Sequence, residues 1–198
     1  RLLPENAVQR GRVLLEGTDL AACTGRELRR VRGRRVGMVF QEPMTALNPV
    51  LTVGSQVAEP LRLHLRLPRA AARREATALL AEVGIPDPHS RYNDYPHQLS
   101  GGMRQRIMIA MALACGPRLL LADEPTTALD TTIQGQILRL LAARSRERGM
   151  AVLLITHDIE LALGVADRVA VFRDGTVVEE TAVANFASPD TLAHPFSR

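Results

Sequence analysis

One stretch constrains this chain more than any other: residues 99–130, LSGGMRQRIMIAMALACGPRLLLADEPTTALD. Ser100 is a good N-cap, and the spacing after it predicts a helix over Gly101–Cys115 with Ile107, Ala110, Met111 and Ala114 on one apolar face. Arg118–Asp123 follows as a strand with four apolar residues in a row, the pattern expected at the centre of a parallel sheet. That strand ends on two adjacent carboxylates, Asp123 and Glu124, just before Pro125. A Gly-Gly helix start can receive a phosphate-sized anion, and a carboxylate-tipped strand can hold a metal ion and a water. The sequence sets the two on consecutive elements.

The remaining chain alternates strands and helices. Val13–Leu15 reads as a short strand turned by Gly17, Glu27–Arg32 as a short helix, and Arg35–Phe40 as a strand with Val36, Met38 and Phe40 alternating inward. A loop with Pro43 and Pro49 leads to helices over Gly54–Leu65, with Val57, Leu61 and Leu65 on one face, and Arg69–Val83, with Ala76, Leu79, Leu80 and Val83 inward. Pro86–Pro96 reads as a loop. Thr132–Arg148 is an amphipathic helix facing inward through Ile133, Ile137, Leu140 and Leu141. Ala151–Thr156 is a third buried strand, Ile159–Ala166 a helix, and Arg168–Arg173 pairs with Thr176–Glu180 through Asp174-Gly175. The order predicts an α/β fold with a mostly parallel sheet. Residues 50–98 form an inserted helical subdomain, and residues 181–198 begin a C-terminal extension.

Composition narrows the class. The 198 residues are 46% hydrophobic and 23% charged, enough for one domain with a core. The net charge is +4 and every basic side chain other than His is Arg; six Arg fall within residues 26–35. No aromatic residue is interleaved there for base stacking, which speaks against a nucleic-acid partner. Cys23 and Cys115 fit no metal spacing, and Cys115 reads as a core residue. No apolar run approaches the roughly 20 residues of a membrane span.

In parallel sheets, ligands gather at the carboxyl ends of the strands. That rule puts Gln41, Asp123, Glu124 and His157 on one edge, because each ends or directly follows a strand. Asp123 can hold Mg²⁺, usually through water, and Glu124 can polarise an attacking water. An isolated Asp-Glu at a strand end reads more readily as two solvated acids; the apolar run before it and PTTALD after it reverse that preference. Ser100, Gly101 and Gly102 read equally well as an anion site and as a plain cap.

These motifs carry a family resemblance. LSGGMRQR resembles the signature motif of ATP-binding-cassette (ABC) ATPases, LLLADEP their Walker B strand with its catalytic Glu, TALD (Thr127–Asp130) the D-loop, ITHD the segment with the switch histidine, and VFQEPMTALNP the Q-loop. Five motifs stand in the family's order over nearly the whole chain. QEPMTALNP, YPHQLSGGMRQR, ADEPTTALD and the tail FASPDTLAHPFSR are similar to ATPase subunits of oligopeptide, dipeptide and nickel importers. The resemblance implies a P-loop NTPase-like ABC fold with ATP and Mg²⁺ as cofactors. It makes Glu124 and His157 catalytic, Asp123 and Gln41 metal-associated, and Gln41, Ser100, Gly101, Gly102 and Asp130 nucleotide-binding.

The pattern GxxxxGK[ST] does not occur, and there is no Lys to contact phosphates. The family places that loop and its helix directly before the segment RLLPENAVQRGRVLLEG resembles, so the chain is expected to be N-terminally truncated, lacking the first strand and P-loop helix, on the order of 30 residues. The expected function is the ATP-hydrolysing subunit of an importer for peptides or nickel, peripheral on the cytoplasmic face of the inner membrane. Its expected partners are a second ABC ATPase subunit, the permease and, indirectly, a substrate-binding protein. The alternatives are a non-catalytic remnant that completes a partner's ATP site, or a soluble ABC ATPase of DNA repair or translation.

Overall fold

The computed structural model describes residues 8, 10–41, 46–126, 129, 131–187, 192–195 and 197. Asp130, Thr127 and Ala128 of the D-loop, and most of Arg1–Gln9, lie outside the described residues.

Strands β1 (Leu14–Leu15) and β2 (Thr18–Asp19) form a small hairpin. The turn uses Glu16 and Gly17, both at positive φ, which explains why Gly17 marks it. Helix α1 (Gly25–Val31) starts on a capping box: the Thr24 side chain accepts from the Glu27 N–H, and the Glu27 carboxylate accepts from the Thr24 N–H over 2.7 Å.

The central sheet runs β3 (Val36–Val39), β4 (Leu119–Asp123), β5 (Ala151–Ile155), all parallel, with β4 in the middle. Val39 pairs with Ala122 and Asp123 with Ile155, so the carboxyl ends of the strands are level. The inward face of β3 differs from the expected alternation. Gly37 and Val39 are buried, Val36 and Met38 are half-buried, and Phe40 is exposed. The reason is a helix packed on the Gly37 side: a Cβ at Gly37 would sit 2.5 Å from the Ala112 carbonyl oxygen, so only glycine admits that approach. Strand β5 also departs from expectation. Val152 and Leu154 pack on the core, whereas Leu153 and Ile155 are 54% and 52% exposed. The two pairs point to opposite faces of the sheet, and only the face that carries Val152 and Leu154 meets the helical core.

Residues 50–98 hold α2 (Val53–His64), α3 (Arg69–Glu82) and a short α4 (Pro88–Arg91) where a loop was expected. Val57 and Leu61 of α2 are fully buried, but Leu65 lies past its end and is exposed. On α3, Ala76, Leu79 and Leu80 are buried as expected, and Val83 is buried at its cap. Helix α5 (Gly101–Leu113) is buried on most of its circumference, far beyond one face. It joins the sheet to α2 and α3, so helices and sheet share one core. A helix apolar nearly all round must be enclosed in this way. Cys115 follows it, half-buried; burial pushes its thiol pKa up.

Helix α6 (Thr131–Arg148) buries Ile137, Leu138 and Leu141, with Ile133 and Leu140 partly covered. Glu82 at the end of α3 pairs with Arg144 (3.0 Å) and Arg148 (2.5 Å) of α6. The short α7 (Ile159–Leu163) is capped by Asp158. Strands β6 (Arg168–Arg173) and β7 (Thr176–Ala182) form the expected hairpin through Asp174-Gly175, both at positive φ, with a bulge at Val171/Phe172.

Candidate functional site

The site begins where the sheet ends. Asp123 closes β4, and the Glu124 N–H still donates to the Ile155 carbonyl of β5 (2.9 Å), one step beyond the paired register. Glu124 then adopts φ 42°. The left-handed region costs a side-chain-bearing residue roughly 1–2 kcal/mol, and Pro125 next in the chain disfavours right-handed helical backbone at Glu124. The chain therefore turns sharply and lifts the Glu124 carboxylate off the strand end.

Two sequence-expected partners meet that carboxylate. Gln41, two residues past β3, donates from Nε2 to Glu124 Oε2 over 2.7 Å. His157, two residues past β5, places Nδ1 3.2 Å from Glu124 Oε1. Each neighbour thus holds one oxygen. The Glu124 side chain is mostly sheltered and the His157 ring is 76% exposed, so the imidazole stands at the mouth with room for a ligand. The carboxyl-edge rule places Gln41, Glu124 and His157 together, and the hydrogen bonds join them.

Asp123 has no side-chain hydrogen bond or ion pair among the described residues, although it is half-buried beside Glu124. An unengaged carboxylate at a strand tip suits a hard divalent cation. No group of three His, Cys, Asp or Glu side chains converges among the described residues. A Mg²⁺ ion there would rely on one or two carboxylates, water and substrate phosphates, which is the usual mode for that ion.

The backbone after Glu124 is gripped from below, by residues that the sequence reading missed. Gln105 of α5 is only 2% exposed, and its Nε2 donates to the Pro125 carbonyl. Gln134 of α6 donates from Nε2 to the Thr126 carbonyl over 3.2 Å. Nothing in the sequence singled Gln105 out, since it stands between Arg104 and Arg106 in the polar first turns of α5.

Ser100, Gly101 and Gly102 lie elsewhere. Ser100 Oγ accepts from the Met103 N–H (3.3 Å), which confirms the N-cap. With Met103, Arg106, Leu129 and Ile133 they line an open concavity of about 390 Å³. Neither Gln41, Asp123, Glu124 nor His157 borders it. A Cβ on Gly101 would meet nothing within 4 Å, so the backbone there is bare to an approaching group. Arg106 is tied down: it donates to the Val83 carbonyl (2.8 Å) and to Gln136 Oε1 (2.6 Å), bracing the concavity against α3 and α6. The two half-sites share α5 but do not share a cavity. Asp130 lies outside the described residues.

A level parallel sheet edge, a carboxylate held by Gln and His, and a separate glycine-floored helix start set two distinct half-sites on one α/β chain. The ABC transporter family description matches residues 2–127, and the chain belongs to that family. The dipeptide transport ATP-binding protein DppD of Bacillus subtilis is 54% identical over 85% of this chain and 50% of its own length. The oligopeptide transport ATP-binding protein OppD of the same organism is 47% identical over 98% of this chain and 54% of its own length. The chain thus spans about half the length of these relatives. Among solved structures, the ATP-binding cassette MJ0796 as a dimer bound to ADP and Pi matches with a TM-score of 0.79 and 34% identity, over 88% of this chain and 74% of that one.

Proposed function

We propose that the protein is the ATP-hydrolysing subunit of an importer for peptides. The observation that carries this reading is the Glu124 carboxylate held between Gln41 and His157 at the strand edge. The relatives' names, which speak of dipeptide and oligopeptide transport, support peptides as the cargo rather than nickel.

Glu124 serves as general base. Its carboxylate accepts the proton of the water that attacks the terminal phosphate, and the donor groups of Gln41 and His157 hold its two oxygens in one orientation. Asp123 and Gln41 would hold Mg²⁺, which would supply positive charge against that of the phosphates. Ser100, Gly101 and Gly102 offer helix N–H groups to a nucleotide bound by a second cassette subunit, identical or similar. Asp130 joins that contact. Support for the two-subunit arrangement comes from the dimeric state named for MJ0796, and from the separation of the two half-sites on this chain.

Residues 50–98, three α-helices and a 3-10 turn without a strand, act as the helical subdomain that engages the permease, and residues 181–198 begin a C-terminal extension. No described helix is long and apolar enough to cross a membrane, so membrane attachment at the cytoplasmic face runs through the permease, with a substrate-binding protein delivering cargo to it.

The test is single-turnover hydrolysis by the protein expressed from its complete reading frame, alone and with its partner cassette. Phosphate release that needs an intact Glu124 supports the reading; release indifferent to Glu124 opposes it.

A further inference from the structure

A second concave surface lies at the opposite end of β3. It is a cleft of about 1220 Å³ between α1, the turn that leads into β3, and the end of α2. Arg26, Arg29 and Arg30 sit on one face of α1, Arg32 and Arg34 on the turn, and Arg66 just beyond α2. All six are exposed, and none makes a side-chain hydrogen bond or ion pair among the described residues. Two acids border the cluster. Glu27 closes the capping box with Thr24 and also feels the charge of Arg30, and Glu16 pairs with Arg35, a seventh arginine of the lining, and lies 3.6 Å from Arg118.

The cleft is a built shape rather than a loose spray of side chains. Gly33 (φ 77°) brings the turn against α2 so closely that a Cβ there would stand 2.6 Å from His64 Nε2. The contact fixes the arginines of the turn opposite Arg66. Seven arginines against two acids leave an excess of like charge that repels itself, so the arrangement favours a bound anion.

Guanidinium forks match phosphate oxygens two at a time. Six of them exceed what one carboxylate or one phosphate can neutralise. The lining residues include no Phe, Tyr or Trp, and the one ring, His64, is packed against Gly33, which disfavours single-stranded nucleic acid. It is also remote from the hydrolytic edge: Arg35 and Gln41 are six residues apart along an extended strand, about 20 Å.

We propose that this cleft is a binding site for an anion carrying two or more phosphate groups, distinct from the nucleotide site and independent of the importer reading. The phosphates could belong to a free polyphosphate-type ligand or to lipid headgroups, and the experiment separates the two.

Tripolyphosphate binding to the protein from its complete reading frame is measured by calorimetry at low and at physiological salt. Co-sedimentation is measured in parallel with vesicles of phosphatidylglycerol and of phosphatidylcholine. The Arg29→Glu/Arg66→Glu pair is expected to weaken binding by at least about tenfold, the Arg29→Gln/Arg66→Gln pair by less, and Glu124→Gln not at all. Thermal melting of each variant checks the fold. Cleft-dependent tripolyphosphate binding identifies a free ligand; cleft-dependent capture by phosphatidylglycerol vesicles alone identifies a headgroup. The proposal is overturned if neither probe binds at physiological salt, or if both cleft variants bind as tightly as the natural protein.

Discussion

Gln41 Nε2 and Glu124 Oε2 lie 2.7 Å apart although 83 positions separate them in the chain. Parallel pairing makes this possible, because β3 and β4 end level and each delivers its next residues to the same edge. On the proposed function, the contact orients Glu124 as the base. His157→Ala is expected to lower single-turnover hydrolysis by about 100-fold, at the low end of the usual acid–base span, and Gln41→Ala, which removes one orienting hydrogen bond and no proton-transfer group, by less, roughly tenfold. Rapid-quench phosphate release on each variant checks both.

Gln105 is expected to matter more than its distance from the phosphates suggests. Gln105→Leu keeps the volume but leaves the Pro125 carbonyl without its donor, which costs about 1–3 kcal/mol. For a chain of this size that lowers Tm by several degrees, at about 2–4 °C per kcal/mol. Because Pro125 follows Glu124, the hydrolytic rate should fall while nucleotide affinity holds. A melt, a binding isotherm and a rate measured on the same preparation separate the two effects.

Gly101→Asp should leave the fold intact, since a Cβ there meets nothing within 4 Å. It should also place a carboxylate where Ser100–Gly102 would receive a phosphate. The expected outcome is an unchanged melt with hydrolysis in the two-subunit assembly reduced by about 100-fold or more, as electrostatic repulsion in a phosphate site predicts. Mixing the variant with natural protein should restore part of the activity, because the defect acts on the partner's nucleotide.

The capping box of α1 should respond to acid. The Glu27 carboxyl is held below its ordinary value of 4.5, first by the Thr24 N–H and next by the Thr24 hydroxyl. A lowered folded-state value means that this contribution is complete above about 4.5 and is lost as pH falls through the lower value. Amide exchange in α1, corrected for intrinsic rates, should accelerate below that pH, and Thr24→Ala should show the fast exchange at neutral pH too.

The placement of the site residues was legible in the sequence because it depends on two short-range facts, where a strand stops and which residue comes next. Gln41, Asp123, Glu124 and His157 needed only those. The Asp174-Gly175 turn and the Ser100 cap were legible for the same local reason. What escaped depends on partners distant in the chain. The burial of Gly37 in place of Phe40 follows from where α5 lies, the exposure of Leu153 and Ile155 from which face of the sheet meets the helical core, and the grip of Gln105 on Pro125 from a helix-to-loop contact that no periodicity encodes.

If Glu124 takes the proton from water while other groups hold the nucleotide, Glu124→Gln should separate binding from chemistry. In the protein from its complete reading frame, with its partner subunit, ATP affinity should stay within about threefold and single-turnover phosphate release should fall by at least about 100-fold, the loss of a general base. Phosphate release at the natural rate from the Glu124→Gln protein would contradict it.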